Sequence, residues 1–120
     1  MKILILGAGQ VGSTLAKYLC SDDDNDITIV DQKEEMLTPL QRHLDIKTVI
    51  GYGAYPSVLE KAGIKSMDVV IAVMRSDERN MVACRMAHTL YNVKKKIARI
   101  RTTEYLLRPE IFSNEALPID

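Results

Sequence analysis

The feature that most constrains the fold of this sequence is a glycine motif between a short apolar run and an amphipathic segment. Residues 3–6 are all apolar, and the motif Gly7-Ala8-Gly9-Gln10-Val11-Gly12 follows at once. A Gly-x-Gly-x-x-Gly pattern that leaves a strand and opens a helix is typical of a phosphate-binding turn. Its three glycines permit a tight turn, close approach of the backbone to a pyrophosphate, and close packing of helix on strand. A glycine turn kept for packing alone is the alternative interpretation.

Strand-like and helix-like segments alternate along the rest of the chain. We predict strands at residues 2–6, 27–30, 46–50, 68–74 and 96–101. We predict helices at residues 10–20, 33–44, 57–62, 77–91 and 103–107. Pro39 lies inside the second helix, which we therefore expect to be kinked there or to start later. Ser76 is the expected N-cap of the fourth helix.

This alternation, with short connections, predicts an α/β fold with a doubly wound parallel sheet and three layers, the Rossmann architecture. The expected strand order is 3-2-1-4-5, followed in such folds by a sixth strand. Residues 117–120 resemble the approach to that strand. We therefore expect residues 1–120 to be one dinucleotide-binding domain with a truncated sixth strand, the N-terminal fragment of a longer protein.

Composition narrows the class of protein. The chain has 120 residues, of which 47% are apolar, with one Phe and no Trp, so it can form one aliphatic core. Sixteen basic residues balance sixteen acidic ones, which argues against general nucleic-acid binding. No apolar stretch reaches the roughly 20 residues that span a bilayer, so we expect no direct membrane insertion. Two cysteines are too few for a disulfide framework and indicate reduced thiols in the cytoplasm.

An acidic residue completes the dinucleotide fingerprint. Asp31 lies nineteen residues after Gly12, at the end of the second predicted strand. Dinucleotide-binding domains place the acid that binds the ribose hydroxyls about 20 residues beyond the turn. A carboxylate there repels a 2′-phosphate, which favours NAD over NADP, although Lys33 weakens the preference. Asp31 could also cap the helix that follows, and the two roles can coexist.

Further candidate residues follow from the predicted topology. The backbone amides of Gln10 and Val11 should face an anion at the positive end of the first helix. Gly51-Tyr52 follows the third strand, beside the expected adenine position, although an ordinary loop turn explains these residues equally well. Val73 and Met74 end the fourth strand at the crevice where such sheets bind ligands. Arg99 lies near the end of the fifth strand.

The guanidinium of Arg99, with that of Arg101 on the same strand face, could pair with phosphate. A salt bridge to another segment of the chain is the alternative.

Three segments resemble the N-terminal domains of the TrkA family of potassium-uptake regulators, also called KTN or RCK domains: residues 3–12, 76–84 and 96–101. The resemblance implies a domain that binds NAD or NADH, or alternatively ATP or ADP. It implies binding through the glycine turn, through Asp31, and through Val73, Met74 and Arg99. Two departures from the family pattern are Met74-Arg75, where small or hydroxyl residues are usual, and Tyr52 with Tyr55, where smaller polar or His residues are common.

The same resemblance implies a nucleotide-sensing regulatory subunit rather than an enzyme. Members of this family gate a membrane potassium transporter or channel subunit, and assemble as a homodimer or higher ring. The implied location is cytoplasmic, peripheral at the inner face of the cell membrane.

The alternative function is the cofactor-binding half of an NAD-dependent dehydrogenase. Such an enzyme needs a proton-transfer residue and a substrate pocket. The sequence shows no obvious acid/base pair, and we assign no catalytic residue. Cys84 and His88 lie one helical turn apart, but two ligands do not make a metal site, and we predict none.

Overall fold

The five strands form one parallel sheet, as the sequence predicts. A computed structural model describes residues 1–120 in full. The strands are β1 Lys2–Leu6, β2 Asp26–Asp31, β3 Lys47–Ile50, β4 Val69–Ala72 and β5 Lys95–Ala98. Their order is β3-β2-β1-β4-β5, so the chain leaves the central strand β1 first to one side and then to the other. The register pairs Leu6 with Val30 on one side and with Ala72 on the other.

The chain forms five helices, of which the first four contribute buried residues and the fifth contributes none. They are α1 Gln10–Cys20, α2 Glu34–His43, α3 Pro56–Lys61, α4 Asp77–Thr89 and α5 Thr103–Leu106. Short 3₁₀ helices at Ile64–Ser66 and Pro109–Ile111 were not predicted from the sequence. Ser76 caps α4 as expected, since its Oγ accepts a hydrogen bond from the backbone N–H of Arg79. None of the helices combines the length and the apolarity needed to cross a bilayer.

The core consists of two aliphatic layers, one on each face of the sheet, because side chains alternate along each strand. One layer joins β1, β2 and β4 to α1 and α2 through residues such as Ile5, Ile29 and Leu37. The other joins the same strands to α3 and α4 through residues such as Leu6 and Leu59. These contacts produce the three-layer architecture and fix α1 directly behind the glycine turn.

The two strands on the β4 side are shorter than predicted at their carboxyl ends. The strand β4 ends at Ala72 and β5 ends at Ala98, although Arg99 still donates a backbone hydrogen bond to the Ala72 carbonyl. The carboxylate of Asp77 instead accepts the backbone N–H groups of Arg101 and Thr102, at 3.0 and 2.9 Å. These bonds draw the chain away from the sheet toward the first turn of α4. They also hold the pKa of the Asp77 carboxyl below its ordinary value.

Pro39 does not delay the start of α2, and this part of the sequence prediction is wrong. The helix runs unbroken from Glu34 to His43 with Pro39 on its exposed side. Leu37 and Leu40 are buried against the sheet on the opposite side. Their burial outweighs the single backbone hydrogen bond that proline removes.

Residues 117–120 do not form a strand, but Asp120 lies against the outer edge of β5. Its backbone N–H donates to the Lys96 carbonyl at 2.7 Å, and its carboxylate accepts the Lys96 N–H at 2.7 Å. The Lys96 ammonium group is almost fully buried and donates to the carbonyls of Val93 and Lys94. The Asp120 carboxylate, 3.9 Å from that nitrogen, supplies the opposite charge that a buried ammonium group requires.

Cys84 should be an unreactive thiol. It is fully buried between α4 and β5, and burial raises the pKa of its thiol to about 12. Because the thiolate is the nucleophile, we predict that a Cys20→Ser variant reacts with a disulfide reagent at pH 8 at least about 100-fold more slowly when folded than when unfolded. The matched Cys84→Ser variant keeps the partly exposed Cys20 and should react while folded. Fast labelling of folded Cys20→Ser protein contradicts the buried position of Cys84.

Candidate functional site

The glycine turn brings three backbone segments into direct contact. Gly7 has a φ of +112°, and a Cβ there would lie 2.8 Å from the carbonyl oxygen of Val73. A Cβ at Gly12 would overlap the carbonyl oxygen of Gly7. Gly9 differs, because a Cβ there would meet no atom within 4 Å. Gly7 and Gly12 are therefore required by packing, whereas Gly9 borders open space in front of α1.

The amino terminus of α1 faces this open space without a partner of its own. The N-cap residue Gly9 has no side chain to accept a hydrogen bond, and the first turn contains no acidic residue. The first backbone bond of the helix runs from Ser13 N–H to Gly9 O. The amides of Gln10 and Val11 precede it, and a helix has no carbonyl for its first amides. They are donors available to an anion at the positive end of the helix dipole.

Asp31 fastens the end of β2 to the glycine turn. One of its carboxylate oxygens accepts the Ala8 N–H at 2.8 Å, and the other accepts the Lys33 N–H at 2.8 Å. It is not the N-cap of α2, because that position belongs to Lys33 and carries no side-chain capping bond. Each oxygen of a carboxylate can accept more than one hydrogen bond. The half-buried Asp31 thus keeps acceptor capacity toward the open space.

The loop after β3 closes the opposite side. A Cβ on Gly51 would lie 2.7 Å from the side chain of Val58, and one on Gly53 would lie 3.2 Å from both Leu6 and the Met74 sulfur. Packing within the protein therefore explains these two glycines. Tyr52, between them, lines the same space.

Asn80 joins the ends of β4 and β5, and sequence reasoning missed it. This fully buried side chain accepts the Met74 N–H at 2.8 Å. Its amide nitrogen donates to the carbonyls of Met74 and Arg99, at 3.2 and 2.9 Å. The one sequence signal was an amide next to the apolar run that begins at Met81. Asn80 fixes the backbone from which Met74 and Arg99 extend.

These segments enclose a cleft of about 640 Å³ at the carboxyl ends of the strands. Ten of the twelve predicted site residues line it: Gly7, Gly9, Gln10, Val11, Asp31, Gly51, Tyr52, Val73, Met74 and Arg99. The other two do not, since Ala8 is buried beneath the turn and Gly12 lies within α1. Arg101, which the sequence analysis pairs with Arg99, also lines the cleft, and the structure adds residues outside the predicted set: Val30, Gln32, Lys33, Met36, Gly53, Arg75 and Arg79.

The cleft is strongly cationic although the chain as a whole is neutral. Five basic side chains line it: Lys33, Arg75, Arg79, Arg99 and Arg101. None of the five forms an ion pair, so the salt-bridge interpretation of Arg99 and Arg101 is wrong. Both donate instead to main-chain carbonyls, of Met74 and Arg75 respectively. The Nε of Arg99 is buried and has no hydrogen-bond partner. Asp31 is the only acidic residue in the lining.

The sequence and the fold both have known relatives. Residues 3–114 match the TrkA-N domain family. Over 120 residues the chain is 54% identical to the Trk system potassium uptake protein TrkA of Halomonas elongata, a match that covers 100% of this chain and 26% of that protein. The chain thus spans about a quarter of the length of this relative.

Solved structures share the architecture. The Kef CTD of Shewanella denitrificans, in an AMP-bound form, superposes with a TM-score of 0.79 at 19% identity, covering 100% of this chain and 72% of that one. The GsuK channel bound to NAD superposes with a TM-score of 0.74 at 25% identity, covering 89% of this chain and 19% of that one.

The two glycines at the start of α1 should differ sharply in their tolerance of a methyl group. We predict that Gly12→Ala lowers the free energy of unfolding by about 3 kcal/mol, because the added Cβ meets the Gly7 carbonyl. The matched Gly9→Ala variant should stay within about 1 kcal/mol of the parent, since its Cβ enters open space. Urea denaturation measures the free energy of unfolding of the parent and of both variants. Equal losses in the two variants contradict the close contact at Gly12.

Asn80 should contribute strongly to stability. We predict that Asn80→Ala lowers the free energy of unfolding by about 2–4 kcal/mol, because it leaves buried backbone groups of Met74 and Arg99 without partners. Thr89→Ala, at an exposed position of the same helix, is the control and should change stability by no more than about 0.5 kcal/mol. Similar denaturation midpoints for the two variants argue against the role of Asn80.

Proposed function

The chain belongs to the TrkA-N domain family, and from that premise we propose that it is the nucleotide-sensing part of a regulatory subunit of a potassium-uptake system. In this proposal it binds NAD or NADH and gates a membrane potassium-transport partner. The observation that carries the proposal is the cationic cleft at the amino terminus of α1, with one carboxylate at its edge. The relative from Halomonas elongata is named for potassium uptake, and GsuK is a channel with an NAD-bound form.

The residues of the cleft fit a dinucleotide. The amides of Gln10 and Val11 would hold the pyrophosphate, with Gly9 leaving room for its approach. Asp31 would accept the ribose hydroxyl groups with the acceptor capacity that Ala8 and Lys33 leave free.

The two ends of the cleft would hold the two halves of the ligand. Gly51 and Tyr52 border the adenine side in this proposal. Val73, Met74 and Arg99 border the nicotinamide side, where the buried Nε of Arg99 lacks a partner.

ATP or ADP is a second candidate ligand, favoured by the charge of the cleft. Five basic side chains and one acidic side chain line it, and none of the basic ones is neutralised by an ion pair. NAD presents two phosphate groups, whereas ATP presents three and a larger negative charge. The same turn and the same Asp31 would hold the adenosine diphosphate portion that all these ligands share. The AMP-bound Kef CTD shows this fold with an adenine nucleotide.

The lining of the cleft supports sensing rather than hydride transfer. Apart from the basic residues, its only titratable side chains are Asp31 and Tyr52. Asp31 bonds the backbone of the turn and is assigned here to the ribose hydroxyl groups, and Tyr52 follows β3 on the adenine side of the proposed ligand. Val73, Met74 and arginines border the nicotinamide side, where a dehydrogenase needs a proton donor or acceptor. Regulation requires only that the ligand bind two conformations with different affinity.

The proposed partner is a membrane potassium transporter or channel subunit, contacted from the cytoplasmic side by a homodimer or larger ring. The helix α4 supports assembly, since it carries exposed apolar residues besides its buried side. Val82 is 48% exposed, and Leu90 at the end of the helix is 54% exposed. Packing against another chain would remove these side chains from water.

Ligand ranking by calorimetry tests the proposal. We expect saturable binding of NAD, NADH, ATP or ADP and at least about tenfold weaker binding of NADP than of NAD, because Asp31 repels a 2′-phosphate. Asp31→Asn should reduce the ratio between the affinities for NAD and NADP. Arg42→Gln, an exposed charge change on α2 outside the cleft, should alter none of the affinities.

Two results contradict the proposal. NADP binding tenfold tighter than NAD overturns the role of Asp31. Absence of binding by all of these nucleotides removes the sensing function.

A further inference from the structure

An aromatic ring and a guanidinium group meet across the edge of the cleft. The Cζ of Arg79 lies 5.1 Å from the centroid of the Tyr52 ring, a cation–π distance. Tyr52 belongs to the loop between β3 and α3, and Arg79 to the first turn of α4. The strands β2 and β1 separate β3 from β4, so this contact connects the two halves of the sheet. Both side chains line the cleft.

The contact is supported from both sides. The Tyr55 ring packs against Tyr52 in an edge-to-face arrangement, with centroids 4.6 Å apart. The Met74 sulfur lies close to the position that a Cβ on Gly53 would take, so the backbone next to Tyr52 is held against the end of β4. On the other side, the backbone N–H of Arg79 donates to the Ser76 cap. Tyr52 and Arg79 thus each extend from a constrained segment.

Arg79 differs from Arg99 and Arg101 in what holds it. Arg99 and Arg101 donate to main-chain carbonyls, whereas the Arg79 guanidinium forms no hydrogen bond and no ion pair. The Arg75 guanidinium is equally unpaired, but only that of Arg79 lies over an aromatic ring. The Arg79 side chain is exposed, and the Tyr52 ring is the group that orients its charge. The guanidinium therefore retains all its donors for a ligand.

We propose that Tyr52 is a positioning residue that holds Arg79 at the edge of the cleft, where the Arg79 guanidinium binds a phosphate of the nucleotide. This inference rests on the proposed nucleotide binding and adds a determinant of ligand selectivity. Arg79 should contribute more to the affinity for a ligand whose phosphate group carries more negative charge. Tyr52 holds Arg79 through the π face of its ring and not through its hydroxyl group.

Calorimetry with ATP and with NAD as probes tests this pair. Arg79→Gln should weaken ATP binding by about tenfold, the order expected for loss of a charge-assisted hydrogen bond, and should weaken NAD binding less. Tyr52→Leu should weaken ATP binding by about two- to fivefold, as expected for an exposed cation–π contact. Tyr52→Phe keeps the ring and should therefore lose less affinity for ATP than Tyr52→Leu does. In an Arg79→Gln background, Tyr52→Leu should weaken ATP binding by a smaller factor than it does in the parent.

The salt dependence of binding gives a readout that a purely structural role would not change. Removing one phosphate contact should make the affinity of Arg79→Gln for ATP less sensitive to NaCl than that of the parent. Arg42→Gln lowers the net charge by the same amount as Arg79→Gln but lies outside the cleft. Its affinity for ATP should therefore keep the parent's dependence on NaCl concentration. Thermal unfolding of each variant verifies that it is folded.

The outcomes separate this inference from the proposed function. If the parent binds neither ATP nor NAD, the nucleotide-sensing proposal fails for these ligands and this inference fails with it. If the parent binds but Arg79→Gln has the parent's affinity for ATP, this inference is overturned for both residues and the nucleotide-binding proposal stands. If Tyr52→Phe is as weak as Tyr52→Leu, or if the losses at Tyr52 and Arg79 multiply in the double variant, Tyr52 acts on the ligand independently and its positioning role is overturned.

Discussion

The cleft depends on one close approach of backbone to backbone, at the turn that leaves the central strand. Gly7 lies where a side chain would meet the Val73 carbonyl, and Gly12 lies where a side chain would meet Gly7 itself. With these contacts, α1 begins directly behind the end of β1, and its first amides point into the space between the two halves of the sheet. Displacing either backbone would move the helix terminus away from Asp31 and away from the end of β4.

Two polar side chains then fix the backbone at the rim of the cleft, that is, at the ends of β2, β4 and β5. Asp31 ties the end of β2 to the turn, and Asn80 ties the ends of β4 and β5 to α4. Asp31 accepts hydrogen bonds from main-chain N–H groups, and Asn80 both accepts from and donates to the main chain. These main-chain groups have no partner within a strand or helix. The rim is therefore rigid at the positions from which Met74 and Arg99 extend, although these residues lie outside regular secondary structure. A preformed rim lowers the entropy lost when a ligand is bound.

The sequence predicts the order of elements well and the details of the rim poorly, for a physical reason. Alternating apolar runs and the glycine spacing report interactions between near neighbours, so β1, the turn, α1 and Asp31 are all located correctly. The carboxyl end of β5 is decided by Asp77, more than twenty residues away, and the strand stops earlier than its own residues indicate. Arg75 and Arg79 carry no periodic signal, and only the fold reveals that they face the same space as Asp31. Asn80 is inconspicuous in sequence because its partners belong to two other segments.

The basic lining of the cleft makes the charge distribution of the whole molecule uneven. Of sixteen acidic residues only Asp31 lies in that lining, whereas five of the sixteen lysines and arginines do. A neutral chain with this arrangement has its surplus of negative charge on the remaining surface, and so is dipolar. Small anions diffusing nearby are drawn toward one face and repelled from the others, which raises their encounter rate at low ionic strength without any increase in net charge.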